Sequence, residues 1–502
     1  MEMPFSEIVN DLSLIKPEIV VSIGLVVIVL FDLIFSKSKH LLPYISILAL
    51  IFTGYFLIDQ FSLADFLFSS GSGKGLLTID PFGTFFKLII VLSSLFIITF
   101  SMLSTELDEC KDRLGEYYTL IFGMIIGMFI MSSAADLIVI YLSVELLSLS
   151  SYVLAGFVKN SLRNSEASLK YLIYGAVSSG IMLFGISIIY GLTGSTNIYE
   201  INSLIQSAGF NTLPFILAGV LIFTGIGFKI SVAPFHFWTP DVYEGAPIAI
   251  TAYLSVASKA AGFALLIRFI KVTFIQTIDS AGYWQLVQII DWQSFFILLS
   301  IITMTLGNFA ALWQDNLKRM LAYSSIAHAG YLMLGLAVLS NQGLVAILIY
   351  FAVYLFMNLG AFLVVLLIAN KTGSENIDDY RGLGYATPFL GISLAIFLVA
   401  LTGIPPTAGF IGKLYLFIAL IDANMFIVAF IALLNTVVSL YYYIRVLKNM
   451  YLVKVEKPVA ELHTSPFAAV IIIILIIPVL LFGVYFTPLV DFATNSIALL
   501  GF

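Results

Sequence analysis

Long apolar segments recur from one end of the chain to the other, and they constrain its fold more than any other feature. A helix needs about 20 apolar residues to cross a hydrocarbon layer about 30 Å thick, and runs of that length fill most of the 502 residues. A chain that is 61% hydrophobic and 10% charged has too little polar surface for a water-soluble fold. The sequence therefore predicts an all-α polytopic membrane protein.

About fourteen such spans can be placed along the sequence. The first apolar run, at residues 19–35, lacks a basic leader and a small-residue cleavage site, so we expect a retained span and not a removed signal peptide. The predicted spans lie near residues 19–36, 41–58, 82–104, 117–132, 136–157, 168–193, 212–234, 247–270, 294–313, 318–339, 342–369, 387–421, 424–447 and 466–489.

Basic residues are distributed unevenly between the two sides of the predicted bundle. Loops rich in Lys and Arg remain in the cytoplasm. Loops after even-numbered spans carry only Lys74 and Lys271, together with Arg268 if this residue at a span end is counted. Loops after odd-numbered spans carry a much larger set: Lys37, Lys39, Lys111, Arg113, Lys159, Arg163, Lys170, Lys318, Arg319, Lys371, Arg381, Arg445, Lys448, Lys454 and Lys457. This asymmetry supports the span count and predicts an amino terminus outside the cytoplasm.

Cysteine and histidine usage excludes several classes of site. Cys110 is the one cysteine, so the chain alone builds neither a disulfide nor a four-thiolate iron–sulfur cluster. His40, His236, His328 and His463 are scattered without haem or zinc spacing, and no glycine-rich nucleotide loop is present. The net charge of −6 is too dilute to indicate a nucleic-acid partner. We expect any redox chemistry to reside on another subunit.

Four charged residues lie far from the ends of their predicted spans: Glu145, Lys229, Lys259 and Lys413. A charge at the bilayer centre costs about 2.5 to 3.5 kcal/mol on insertion scales, so such residues face protein or water and commonly mark ion pathways. For a single residue, helix-to-helix bonding is the less favoured alternative, and four such residues together favour a pathway further. Lys87 lies near the start of its span, and we expect it to snorkel outward.

Two of the predicted spans are interrupted. Pro234 breaks the seventh, and Pro405 with Pro406 breaks the twelfth, where glycines between 403 and 412 loosen the backbone further. Interrupted helices leave polar backbone at membrane depth, which is tolerated only where protein or a wet cavity covers it. Each break lies close to a lysine, Lys229 or Lys413, which strengthens the pathway interpretation.

Titratable residues recur at matching places in the two halves of the chain. A shift of 184 residues takes Lys229 onto Lys413, and a shift of 183 takes Glu145 onto His328. Span five then falls on span ten, an odd displacement, so the two halves have opposite orientations, as in transporters with inverted repeats. We predict two inverted five-helix repeats, each containing a broken helix.

This reading divides the chain into four segments. The predicted order is an N-terminal three-helix segment at 1–110, a first antiporter-like repeat of helices four to eight at 111–271, a second inverted repeat of helices nine to thirteen at 292–453, and a C-terminal helix at 464–502.

Several motifs carry a family resemblance: KYLIYGAVSSGIMLFGISIIYGLTG, FHFWTPDVYEGAP, NLKRMLAYSSIAHAGYLMLG, FMNLGAF and LTGIPPTAGFIGKLYLF. Across about residues 110–450 the chain resembles the antiporter-like membrane subunit N of proton-pumping NADH:quinone oxidoreductase, respiratory complex I. Lys413 departs from the Glu usual in the related subunit M, and the chain ends too soon for the long lateral helix of subunit L.

The resemblance implies a role for each buried titratable residue. Glu145 and Lys229 would form the buried pair of the first half, Lys259 would link the halves along a central polar axis, and His328 would lie on that axis. Lys413 would serve the exit half-channel. A lone membrane histidine is about as often a helix-to-helix hydrogen-bond partner as a proton relay, so both roles stay open for His328.

The resemblance also implies partners. FMN, iron–sulfur clusters and quinone would be held by partner subunits, with no cofactor and no redox centre on this chain. Its contacts would be other membrane subunits of complex I, including neighbouring antiporter-like subunits, together with lipid and protons but no nucleic acid. The location would be a bacterial cell inner membrane. Two alternatives are a cation/proton antiporter subunit, which would transport ions without redox partners, and a structural membrane spacer.

Other polar residues give weaker signals. His236, Asp241 and Glu244 lie beyond Pro234, where either proton access or subunit packing would suit them. Three consecutive tyrosines at 441–443 stand near a predicted cytoplasmic helix end, where we expect an interfacial aromatic belt.

Overall fold

The computed structural model describes residues 5–35, 37–69, 74–159, 161–208, 212–287, 291–453, 462–498 and 500. The chain is overwhelmingly helical in these ranges. Its α-helices are α1 (Phe5–Leu14), α2 (Lys16–Ile34), α3 (Leu42–Gln60), α4 (Pro81–Leu103), α5 (Leu114–Ser133), α6 (Leu137–Ala155), α7 (Leu162–Thr193), α8 (Ile198–Ala208), α9 (Thr212–Ile230), α10 (Trp238–Gly245), α11 (Ile248–Tyr253), α12 (Lys259–Phe274), α13 (Trp292–Ala311), α14 (Leu317–Ala337), α15 (Asn341–Thr372), α16 (Leu383–Ala386), α17 (Pro388–Thr402), α18 (Ala408–Asp422), α19 (Phe426–Tyr451), α20 (Pro466–Val484) and α21 (Thr487–Ile497).

Thirteen of the helical segments described are long and apolar enough to cross a membrane. They correspond to thirteen of the predicted spans. The remaining predicted span, 387–421, is a pair of shorter helices, α17 and α18. The polytopic all-α fold class is thereby confirmed.

Both predicted breaks are present. The first separates α9 from α10 and contains Ser231, whose φ of 60° lies in the left-handed region. The second follows α17, which ends at Gly403 with φ of 87°, a backbone conformation that glycine adopts without steric cost. Lys229 precedes its break in the last turn of α9, whereas Lys413 follows its break in α18.

The same packing relation recurs around the two breaks. The 32-residue helix α7 packs against α9 and α10, and the 32-residue helix α15 packs against α17 and α18. α15 also contacts α4, α11, α14, α20 and α21, so it lies near the centre of the bundle. The lysine-bearing helices of both halves therefore rest on a long, continuous neighbour.

The segment from α11 to α12 is the most deeply enclosed span. It is entirely buried inside the protein, and a π-helical turn, Leu254–Ser258, joins the two helices. Such a turn inserts one extra residue into the helical ladder and is frequent at functional sites. Lys259 is the first residue of α12, directly after the π turn.

Short elements that the span prediction did not include lie between the long helices. Two antiparallel hairpins pair β1 (Asp65–Leu67) with β2 (Leu77–Ile79), and β3 (Ile275–Ile278) with β4 (Trp284–Leu286). Both hairpins belong to loops that follow even-numbered spans. Three-residue strands lack the length of apolar alternation that would reveal them in a sequence.

Lys87 is buried, and the prediction that it snorkels outward is wrong. Its side chain is 1% exposed, and its ammonium pairs with Glu18 of α2 at 2.5 Å and donates to the side chain of Gln60 at 3.3 Å. A buried charge is tolerated when a counter-charge and a hydrogen bond satisfy it. Lys87 therefore ties α4 to α2 and α3.

Arg268 also proves to be buried. Its guanidinium makes a two-pronged contact with Asp80, at 2.7 and 2.9 Å, and both side chains are 0% exposed. The same guanidinium donates to the backbone carbonyl of Ser132. Asp80 caps the first turn of α4 by accepting from the Gly83 N–H, so the pair joins α12, α4 and the end of α5.

Candidate functional site

Lys229 lies in an aromatic enclosure at the first break. Its side chain is 1% exposed, and its ammonium lies 5.5 Å from the ring centre of Tyr152, 5.3 Å from Tyr171 and 5.6 Å from Phe228. Among the residues described, Nζ has no hydrogen-bond acceptor. Aromatic faces attract a cation without fixing it, so the amine can hold or release a proton without breaking a hydrogen bond.

Trp238 bridges the break beside Lys229. It is the first residue of α10, its ring stacks on Tyr171 with centres 4.3 Å apart, and its Nε1–H donates to the carbonyl of Phe228 at 2.9 Å. The carbonyl freed at the end of α9 is thus satisfied within the protein, as backbone at membrane depth requires.

Glu145 does not contact Lys229. Both residues are described, and no ion pair joins them within 4.0 Å. Glu145 lies on α6 two turns before Tyr152, roughly 10 Å along the helix axis, and is partly exposed; its Oε1 atom is buried without a hydrogen-bond partner among the described residues. The two groups are therefore not directly paired, but they are close enough to interact electrostatically, and the Tyr152 ring lies on the Lys229 side.

Lys259 is anchored to α14. Its ammonium donates to the backbone carbonyl of Ser325 at 2.8 Å and also bonds to the Ser325 hydroxyl. Lys259 is 1% exposed. Its helix packs closely on the helix of Lys229: an added Cβ at Gly262, one turn beyond Lys259, would lie 3.6 Å from the Lys229 Cβ. The two lysines therefore occupy adjacent helices.

His328 lies one turn beyond Ser325 on α14 and is bonded at both ring nitrogens. Nδ1 lies 2.6 Å from the hydroxyl of Tyr350, and Nε2 lies 3.3 Å from the hydroxyl of Tyr443. The Tyr443 hydroxyl also bonds to Ser324. In a neutral imidazole one nitrogen donates and the other accepts, so a hydroxyl on each side gives His328 a partner in either tautomer.

The sequence predicted an interfacial belt for the tyrosine cluster on α19, and this prediction is wrong for two of the three residues. Tyr442 and Tyr443 are each 1% exposed, whereas Tyr441 is 65% exposed. Tyr442 donates to the side chain of Asn308 at 3.1 Å. Only the outermost of the three tyrosines faces away from the bundle, because successive residues on a helix point about 100° apart.

Lys413 bonds across the second break. Its ammonium donates to the carbonyl of Thr402, in the last turn of α17, at 2.7 Å and lies 4.8 Å from the ring centre of Tyr331. Lys413 is 4% exposed. The carbonyl end of a helix favours a cation, so the broken helix supplies the site that holds this ammonium.

Four of the five predicted site residues thus lie in one buried row on adjacent helices. The row runs from Lys229 to Lys259, then through Ser325 to His328, and Lys413 is close enough to His328 to interact electrostatically. Glu145 lies beside the row. The hydroxyl groups that connect these residues were missed, although Ser325, His328 and Tyr331 recur at the three-residue spacing that places them on one face of α14.

The polar residues beyond Pro234 have separate roles. His236 is buried, 4% exposed, in the break itself. Asp241 pairs with Lys170 at 2.6 Å and with Arg319 at 2.8 Å, and Glu244 pairs with Arg319 at 2.7 Å. These ion pairs join α7, α10 and α14 outside the buried row.

No group of three or more potential metal ligands occurs within the described ranges. The amines, the imidazole and the hydroxyls of the site can each hold or pass a proton.

Comparison with known proteins identifies the family. Residues 134–439 match the family described as NADH:quinone oxidoreductase/Mrp antiporter, TM. NADH-quinone oxidoreductase subunit N 2 of Chloroherpeton thalassium is 47% identical, over 97% of this chain and 95% of the relative. Subunit N of Chlorobium chlorochromatii is 44% identical over 97% of this chain and 94% of the relative.

Solved structures agree with this assignment. A chain of respiratory complex I from Thermus thermophilus is similar with a TM-score of 0.78 and 27% identity, over 95% of this chain and 100% of that one. A chain of the Mrp complex from Dietzia sp. shares the fold with a TM-score of 0.82 at 19% identity, over 97% of each chain. The chain belongs to the NADH-quinone oxidoreductase subunit N family of membrane proteins.

Proposed function

We propose that this chain carries protons across the membrane as subunit N of NADH:quinone oxidoreductase, driven by electron transfer on other subunits. The observation that carries the proposal is the buried row of Lys229, Lys259, His328 and Lys413, which starts and ends beside a broken helix. Ionisable residues inside a membrane are costly and mark proton relays when they face one another. Family membership supports the same function.

Lys229 would be the switched group of the first half. Burial favours the neutral form of an amine, and a nearby carboxylate favours the charged form. When Glu145 approaches, Lys229 would take up a proton; when Glu145 moves farther away, the ammonium would lose its counter-charge. Because Nζ has no fixed acceptor among the described residues, the proton is free to leave toward Lys259.

Lys259 and His328 would conduct the proton along the middle of the row. The Ser325 hydroxyl contacts the Lys259 ammonium, and His328 follows one turn later. Imidazole can accept a proton on one nitrogen and release one from the other, and the hydroxyls of Tyr350 and Tyr443 lie at these two nitrogens. The alternative role of His328, as a helix-to-helix bond partner, is served by the same contacts.

Lys413 would be the terminal group of the row. The Thr402 carbonyl that holds its ammonium belongs to the broken helix, so a small rearrangement of the break would change the affinity of Lys413 for its proton. We assign release toward the opposite side of the membrane to this residue.

The redox part of the reaction belongs to partner subunits in this proposal. Relatives are subunits of an oxidoreductase, and FMN, iron–sulfur clusters and quinone would be bound by other chains of the complex. The subunit would lie in a bacterial inner membrane with its amino terminus outside the cytoplasm, as supported by the basic loops after odd-numbered spans. A free-standing cation/proton antiporter and a structural spacer are less favoured, because relatives at 44 to 47% identity are subunits N.

Proton pumping in membranes that carry Lys229→Ala tests the function. Pumping is normalised to quinone-linked electron transfer, and assembly of the complete complex is checked by native electrophoresis. Lys371→Ala, which removes an exposed lysine at the end of α15, is the matched control. Reduced pumping in the assembled Lys229→Ala complex supports the proposal. Normal pumping would show that Lys229 has only a structural role in helix packing.

A further inference from the structure

A cavity of about 830 Å³ lies at the end of the bundle opposite to most of the basic loops. Its wall is formed by α8, the end of α12, the strand β3, the first turns of α15 and the helix α21. These elements belong to, or border, the segments that follow even-numbered spans, the side that the basic residues place outside the cytoplasm. The cavity therefore lies where membrane-spanning helices end, which is the level of the lipid headgroups.

Lys271 is the charged residue of the cavity wall. It lies in the last turn of α12 and is 7% exposed. Its ammonium donates to the carbonyl of Leu500 at 2.9 Å and lies 5.4 Å from the ring centre of Trp284. An ammonium has three N–H donors, and within the described ranges Leu500 supplies its one hydrogen-bond acceptor. The ammonium can therefore bind a further acceptor that enters the cavity.

In the described part of the chain, no carboxylate is paired with Lys271. No Asp or Glu oxygen of these residues lies within 4.0 Å of its ammonium. Asp80 is close enough to interact with Lys271 electrostatically, but both of its oxygens already bind the guanidinium of Arg268. Because buried charges in proteins are normally paired, the Lys271 site calls for an anion from outside the described chain.

The rest of the wall combines neutral polar and apolar side chains. Asn202, Asn341 and Thr494 carry amide and hydroxyl groups, whereas Val345 and Ile497 are apolar. A phosphodiester is bound by an ammonium and by hydrogen-bond donors, and the carbons attached to it favour apolar surface. The amine of a zwitterionic headgroup would need a carboxylate, and the described wall contains none. Its chemistry therefore matches an anionic phospholipid.

The cavity has a buried inner end and an exposed mouth. Lys271 is buried, whereas Thr277, Gln342 and Ala498 at the mouth are exposed. Asp422, which accepts from the Gln342 amide at 2.7 Å, lies outside the wall. Sites for small molecules measure about 300 to 1,000 Å³, so the cavity has room for a headgroup with the first part of its acyl chains. The remainder of the chains would lie in the bilayer.

We propose that this cavity binds one anionic phospholipid, with the phosphodiester held by the Lys271 ammonium. The lipid would supply the counter-charge that Lys271 lacks among the described residues. It would also join α12 of the first half to α15 of the second half and to α21, because all three helices contribute to the wall. Basic pockets between membrane helices bind anionic headgroups in this way. Binding of the lipid does not depend on proton transport by this chain.

Photo-crosslinking in the assembled complex tests the proposal. The complex is reconstituted into phosphatidylcholine vesicles that contain a small fraction of phosphatidylglycerol with a diazirine at the start of one acyl chain. Phosphatidylcholine with the same diazirine is the comparison probe, and labelled peptides are identified by mass spectrometry. Because a hydrogen bond to a charged group contributes about 1.5 to 3 kcal/mol, the phosphatidylglycerol probe should label β3 or α21 about tenfold more than the comparison probe. Both probes should label the lipid-facing helices equally.

Variants of Lys271 test the role of its charge. Lys271→Met should lower the phosphatidylglycerol labelling of β3 and α21 by about tenfold. Lys271→Arg should retain the labelling, because a guanidinium also binds phosphate. Lys371→Met makes the same change as Lys271→Met at an exposed lysine of the opposite end and should label as wild type does.

Ala498→Trp tests the cavity without changing its charge. An indole at the exposed mouth should obstruct the entry of the headgroup and lower the labelling by a similar factor. This variant gives an answer even where Lys271→Met does not assemble, because Ala498 makes no contact with the buried ion pairs of α4 and α12 that would be lost on substitution.

Four outcomes would overturn the proposal. Equal labelling of β3 and α21 by the two probes would exclude selection of an anionic lipid. Labelling that neither Lys271→Met nor Ala498→Trp reduces would exclude this cavity. Competition by inorganic phosphate, but not by unlabelled phosphatidylglycerol, would identify a site for a free anion. Absence of label from both elements in the assembled complex would show that a partner subunit covers the cavity.

Discussion

The hydroxyl of Tyr443 lies 3.3 Å from Nε2 of His328, and the neighbouring Tyr441 on the same helix is 65% exposed. Two tyrosines of α19 that are two residues apart therefore occupy opposite environments: one is bonded to the buried row, and the other faces outward. Their identical chemistry makes them an internal comparison for the contribution of a hydroxyl to proton transfer.

Tyr443→Phe should slow proton pumping by roughly tenfold, since a net hydrogen bond is worth about 0.5 to 1.5 kcal/mol and this one also fixes the His328 ring. Tyr441→Phe makes the same chemical change at the surface and should pump normally. Pumping is measured per unit of quinone reduction in assembled complex. Equal rates for the two variants would exclude Tyr443 from the relay.

Glu145→Gln should uncouple or slow pumping, because the neutral amide can no longer draw a proton onto Lys229. Glu116, exposed in the first turn of α5, provides the control Glu116→Gln. Simultaneous recording of proton uptake and quinone reduction distinguishes the two effects. A Glu145→Gln complex with the wild-type ratio of protons to electrons would remove the carboxylate from the mechanism.

Asp80→Asn should destabilise the subunit strongly, because it leaves the guanidinium of Arg268 buried without its counter-charge. Removing one partner of a buried pair costs about 3 to 5 kcal/mol. The Asp32–Lys39 pair, with side chains 21 and 22% exposed, is the comparison, and Asp32→Asn should cost less than about 1 kcal/mol. Thermal unfolding in detergent measures both; similar losses would contradict the buried-pair assignment.

Gly483 lies on α20, outside both predicted repeats. Gly483→Ala should nevertheless disturb the second break. A Cβ at this position of α20 would lie 1.8 Å from the carbonyl oxygen of Pro406, so the helix must move away, at a cost of about 1 to 3 kcal/mol. Gly180→Ala meets nothing within 4 Å and should be tolerated. Assembly and pumping of both variants are compared, and a normal Gly483→Ala complex would show that α20 does not brace the break.

Asp241 gives a pH dependence with a defined sign. Burial opposes ionisation of this carboxyl, but the hydrogen bond from Lys170 and the charge of Arg319 hold its pKa below the usual value. A depressed folded-state pKa contributes stability above the unfolded value of about 3.9, and this contribution is lost as pH falls through the folded pKa.

The stability difference between wild type and Asp241→Asn should therefore be present at pH 7 and vanish in acid. Because the side chain is 29% exposed, the difference should stay below about 1 kcal/mol. Thermal denaturation of the purified subunit between neutral and acidic pH measures it. A difference that grew in acid would reverse the assigned sign.

Much of the architecture could be predicted because the hydrocarbon layer of a membrane admits few backbone structures other than long apolar helices. Apolar length located the spans, and proline located both breaks. Whether a charged side chain near a span end is buried or extends outward was harder to predict. Lys87 and Arg268 lie near span ends, where a side chain can extend outward to water. Only their ion pairs with Glu18 and Asp80 show that they point inward.

Contacts between distant segments were beyond sequence reasoning. The row of titratable residues was predicted from Lys229, Lys259, His328 and Lys413, but the hydroxyls that join them come from helices whose facing sides depend on three-dimensional packing. The shift that matches Lys229 to Lys413 places them on different sides of their breaks, a difference that periodicity cannot reveal.

The π turn at Leu254–Ser258 sets the rotational phase of everything that follows it. One additional residue in the ladder turns α12 by about 100° relative to a continuous helix, since each α-helical residue advances by that angle. Lys259 thereby faces Ser325 because of backbone winding and not because of any attraction by an opposite charge. The direction of the Lys259 ammonium therefore depends on a local irregularity in the backbone hydrogen-bond register. Deleting a single residue of the π turn would rotate Lys259 away from Ser325, although the composition of the span would hardly change.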